Sequence, residues 1–106
     1  MATKPVNIKR KGEGCEVVPG TQHAKKPKPG SVGDTVQFNA SQIREDATIL
    51  INERIFGRGT IVLNSSNSYK EDLPVESDAP EGEHTYTVKW KTNECVGASP
   101  PKLIID

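Results

Sequence analysis

Four residues in this sequence are the best suited to chemistry: Cys15, His23, His84 and Cys95. A thiolate and an imidazole can act as nucleophile and base, or share a transition metal. A metal site needs three or four such ligands at suitable spacing, and here they are scattered singly along the chain. His23 lies in a stretch rich in proline and lysine, and His84 opens a strand-like run, where solvated imidazoles are the expected state. Beside Cys95 stands Glu94, whose negative charge opposes formation of a thiolate. No G-x-S-x-G turn is present. These residues predict no enzyme, no catalytic set and no cofactor. The alternative they leave open is an atypical metal site drawn from Cys15, Cys95, His23 and His84.

The remaining candidates have structural explanations. Gly57-Arg58-Gly59 resembles an anion loop, but a phosphate loop opens onto a helix and a strand-like run follows here. The cluster Lys25-Lys26-Pro27-Lys28 is short, lacks interleaved aromatic residues and sits in a chain with zero formal net charge. That balance predicts neither a nucleic-acid nor a membrane partner, and no apolar run approaches bilayer length. Asn39-Ala40-Ser41 and Asn64-Ser65-Ser66 match the glycosylation sequon, which has meaning only in a glycosylating compartment. Tyr86 and Trp90 would suit sugar stacking, but their alternation with Val88 places them on a core face.

The elements that must position these residues are short strands. Thr35–Ala40 alternates, with Val36, Phe38 and Ala40 on one face. His84–Lys91 does the same through Tyr86, Val88 and Trp90. Further strands are expected at 6–10, 15–18, 47–52, 60–63, 69–75 and 102–106, with a turn or loop at 41–46. A Pro/Lys-rich loop is expected at about 19–33, where the proline density excludes helix and central strand. Nine glycines and eight prolines in 106 residues supply turns for such a chain. The pattern predicts one domain over residues 1–106. It is an all-β, antiparallel Greek-key β-sandwich of seven or eight short strands, cupredoxin-like or immunoglobulin-like. The expected core is Val6, Ile8, Val17, Val36, Phe38, Ile49, Ile51, Ile61, Leu63, Tyr86, Val88, Trp90, Leu103 and Ile105.

Two segments carry a family resemblance. Gly33-Asp34-Thr35-Val36-Gln37-Phe38 resembles the G-D-T-V-x-F entry to a cupredoxin strand. Pro80-Glu81-Gly82-Glu83-His84-Thr85-Tyr86-Thr87-Val88 resembles that family's P-x-G-x-x-x-Y-x-C run. Cupredoxins hold copper with two His, one Cys and usually a Met. Here Val88 stands where the copper cysteine would fall and Lys91 about where the next histidine belongs. No histidine occurs between Phe38 and Glu83, and the only methionine is Met1. The resemblance therefore implies a copper-free cupredoxin-like sandwich without the family's electron-transfer activity.

The functional expectation is a non-enzymatic binding or accessory module, with loops or an edge strand making the contacts, and another protein as the expected kind of partner. In Greek-key sandwiches the first and last strands often lie side by side. Neighbouring strands are about 4.8 Å apart, within the Cα separation a disulfide needs. Cys15 and Cys95 are therefore a possible disulfide under oxidising conditions. If Met1 is the native start, the expected compartment is the cytoplasm; if it replaced a leader, the protein is exported.

Overall fold

The alternating runs fold into short strands. In chain order they are β1 (Thr3–Lys11), β2 (Gly14–Val18), β3 (Thr21–Ala24), β4 (Thr35–Asn39), β5 (Ala47–Leu50) and β6 (Thr60–Leu63). They continue as β7 (Lys70–Pro74), β8 (Gly82–Thr85), β9 (Thr87–Trp90), β10 (Asn93–Glu94) and β11 (Lys102–Ile105). A one-turn helix, α1 (Glu53–Phe56), and a 3-10 turn at Ser65–Asn67 complete the elements. The computed structural model describes residues 2–12, 14–90, 93–94 and 100–106.

The class is all-β and sandwich-like, as the alternation predicts. Two four-stranded sheets, β2-β1-β4-β7 and β10-β9-β5-β6, are joined by a three-stranded sheet, β3-β11-β8. The four-stranded sheets meet at both sides, with β2 against β10 and β6 against β7. Two pairings are parallel, β1 with β4 and β3 with β11, so two of the sheets are mixed rather than purely antiparallel. The described residues form eleven strands rather than seven or eight, in part because two runs change sheets midway. Residues 82–90 pair first with β11 and then, past Tyr86, with β5. Residues 14–24 pair first with β1 and then, past Pro19-Gly20, with β11.

Two elements modify the sequence reading. Residues 21–24, expected within a loop, form β3 at the edge of the three-stranded sheet. An edge strand needs few apolar residues, and Ala24 alone of the four is buried. Helix α1 lies between the strands expected at 47–52 and 60–63, where no element is expected. The Asn52 side chain accepts the Arg54 N–H at its start, and Gly57 closes it at φ 82°, a conformation glycine adopts without strain.

One contiguous core fills the sandwich. Every expected core residue is buried except Val17, which is partly buried and packs against the others. Phe38 sits at its centre, edge-on to Phe56 at 6.1 Å and to Tyr86 at 5.8 Å between ring centroids. Such T-shaped pairs favour the ring quadrupoles. Ile43, Ile55 and Phe56 join the core from the connections rather than the strands.

The two motifs behind the family resemblance have structural roles. Asp34 is the one buried charged residue among those described. Its carboxylate accepts the Lys25 N–H at 2.9 Å and, at the longer distance of 3.4 Å, the Ala2 N–H. Its backbone N–H donates to the Lys25 carbonyl, and its carbonyl accepts from the Val75 N–H. Asp34 thus ties the chain start, the 25–33 connection and the end of β7 to β4. Gly33 allows this close approach, since a Cβ there would lie 2.5 Å from the Pro27 nitrogen. In the second motif, the His84 ring lies 2.8 Å from the Pro80 carbonyl across the turn before β8.

Candidate functional site

Parallel β1 and β4 end at the same end of the sandwich, where the connection from β4 to β5 meets the connection from β6 to β7. The Ala40 N–H donates to the Tyr69 carbonyl at 2.7 Å and clamps the two connections together. The first turns back through Ile43 and Arg44 N–H groups, both donating to the Ala40 carbonyl. The second winds through Ser65–Asn67, where the Asn64 side chain accepts the Ser66 N–H and the Asn67 side chain accepts the Asn64 N–H. Between them lies a groove of about 290 Å³ lined by Ser41, Arg44, Ser65, Ser68 and Tyr69.

Backbone conformation singles this groove out. Among the described residues, three that are not glycine have positive φ: Arg44 at 49°, Ser68 at 57° and Tyr69 at 60°. All three line the groove. The left-handed region costs a residue with a Cβ about 1–2 kcal/mol. Such outliers persist where the surroundings impose them and cluster at functional sites. The groove also has a uniform chemistry. Its side chains offer one guanidinium and four hydroxyls, with no carboxylate among the lining residues. The Arg44 side chain is exposed and has no ion-pair partner among the described residues.

The residues singled out in the sequence lie elsewhere. His23 and His84 flank β11, His23 opposite Ile104 and His84 opposite Leu103. Adjacent residues of a strand face opposite ways, so the two imidazoles share no face of the sheet. His23 stands 3.6 Å from Asp106 at the surface. No group of three His, Cys, Asp or Glu is suitably placed for a metal among the described residues. Cys15 is buried on β2 and is not a free thiol. Cys95 and Lys91 lie outside the described residues.

Arg58 bridges to Glu71 at 2.7 Å and leads into β6, so Gly57-Arg58-Gly59 builds a turn rather than an anion loop. The Asn67 amide donates to the same Glu71 and to the Val62 carbonyl on the open edge of β6. Arg58 and Asn67 hold the Glu71 carboxyl below its ordinary range by bonding its charged form. In the lysine cluster, Lys26 pairs with Glu81 at 3.2 Å. Both sequon asparagines are turn formers: Asn39 accepts the Ser41 N–H and Asn64 the Ser66 N–H.

Tyr86 and Trp90 are buried and present no stacking surface. Arg10 lies over the Trp90 ring at 5.5 Å. The Tyr86 hydroxyl is buried without a hydrogen-bond partner among the described residues, and burial pushes its ionisation upward. The groove itself escapes sequence reasoning, since its residues come from two separate turns.

No family model matches this chain, and no curated protein matches it. Among the described residues no helix is long and apolar enough to cross a membrane.

Proposed function

We propose that this chain is a non-enzymatic binding module on a copper-free, cupredoxin-like sandwich, with its site in the groove between the 40–46 and 64–69 connections. The observation that carries the reading is the convergence there of three strained non-glycine residues, Arg44, Ser68 and Tyr69. Glycine would adopt this backbone without strain, and none of the three positions carries it. The copper-free part rests on Val88. It stands where the resemblance puts the copper cysteine, and it is 1% exposed within the core.

The test is amide NMR of the labelled protein against a panel of small neutral, cationic and anionic molecules. Binders are expected to shift the amides of residues 41–44 and 64–69 first. Binders that shift only residues on the other faces of the sandwich would place the site elsewhere and end this reading.

A further inference from the structure

We infer that the groove takes a small oxyanion group, a phosphate, sulfate or carboxylate, held by the Arg44 guanidinium and by hydroxyls around it. This rests on the groove being the binding site and names its ligand class. Guanidinium offers five N–H donors in a planar fork and has no acceptor, so its complement is an anionic oxygen pair. Ser41, Ser65, Ser68 and Tyr69, which also line the groove, carry hydroxyls that can donate to an anion there. A cationic ligand would meet Arg44 with no carboxylate among the lining residues to offset it. A neutral ligand would draw nothing from the guanidinium charge. The volume of about 290 Å³ is at the small end for ligand sites, which suits a compact anionic group more than an extended molecule.

The backbone at Arg44 bears on the same side chain. At φ 49° a glycine would sit without strain, yet the position carries the one cationic side chain of the groove. Arg54 is an exposed cation on α1, which joins the other ends of β5 and β6; it does not line the groove, so it serves as the control.

The experiment titrates the labelled full chain at low ionic strength with sodium phosphate, sodium sulfate and sodium acetate, separately. It follows amides 41–44 and 64–69 and uses sodium chloride to correct for salt. Saturable shifts are expected with at least one of the three. The two tetrahedral anions against acetate tell a phosphoryl or sulfuryl group from a carboxylate. R44G is expected to weaken binding at least about tenfold, the loss of a charge-assisted pair. R44G should also keep or raise the melting temperature, because glycine relieves the strain, so its loss of binding is not a loss of fold. R54Q should bind as the wild type does. No saturable shift with any of the anions, or equal binding by R44G, overturns the inference. Neutral molecules that bind the groove while the anions do not would overturn the inference and leave the binding-module reading standing.

Discussion

Replacing Asp34 by alanine tests how the first motif holds the sandwich together. Asp34 is 8% exposed, and its carboxylate accepts the Lys25 N–H at 2.9 Å and the Ala2 N–H at 3.4 Å. Alanine removes both acceptors and leaves the partly buried Lys25 amide without one. A hydrogen bond to a charged group contributes about 1.5–3 kcal/mol. The Ala2 contact is at the long limit and adds little, so the expected loss is about 2 kcal/mol. For a domain of about 100 residues this lowers the melting temperature by roughly 8–16 °C. An asparagine side chain keeps one acceptor oxygen, so D34N should lose about half as much. Thermal melts and urea titrations of the three proteins give the values. Amide exchange at Lys25 should accelerate in D34A before the β4 amides respond. If D34A stays within about 0.5 kcal/mol of the wild type, the clasp does not hold the fold in the way described.

Gly33→Ala should destabilise by about 1–3 kcal/mol in urea, because its Cβ would stand 2.5 Å from the Pro27 nitrogen and 3.0 Å from the Lys25 carbonyl; an unchanged midpoint would contradict that packing. Glu71 has a folded pKa below its ordinary 4.5, so its contribution is present above that value and is lost as pH falls through the folded value. The stability gap between wild type and Glu71→Gln should therefore shrink as pH falls below the ordinary 4.5, and a gap that widens on acidification would refute the pairing with Arg58. We propose that Cys15 pairs with Cys95, because β10, which ends at Glu94, lies against β2, which carries Cys15. Reductant should then lower the stability of the folded protein by about 4 kcal/mol, and two thiols titrating freely after mild oxidation would exclude the bond. Cu(II) added to the purified protein should give no intense thiolate-to-copper band, whereas such a band, lost on Cys95→Ser, would restore a copper site.

Much of the fold is legible in the sequence because a half-buried strand writes its packing as a period of two. Val36 and Phe38 in β4 and Val88 and Trp90 in β9 alternate with partly buried or exposed partners, and all four are buried. What escapes such reading is local or non-periodic. Helix α1 has only four residues, too few to display a helical repeat, and its signals are the caps Asn52 and Gly57. Strand β3 buries Ala24 alone and is made by its pairing with β11. The parallel pairings of β1 with β4 and β3 with β11 join segments far apart in the chain, and alternation within a strand carries no record of its neighbour. Least legible is the groove. Arg44, Ser68 and Tyr69 are ordinary residues in the sequence, and their positive φ belongs to turn geometry, with Ser68 capping the Ser65–Asn67 turn.

The central claim, that this sandwich binds a ligand between its two clamped connections, is tested most directly by filling the groove. Ser65 is exposed on its wall and contributes no core contact. Ser65→Trp should therefore occupy the space while leaving the melting temperature near that of the wild type. Whatever the wild-type protein binds should be measured on both proteins by the same amide NMR titration. The account predicts that binding disappears in Ser65→Trp with the core spectrum intact. Undiminished binding by a folded Ser65→Trp protein would contradict it.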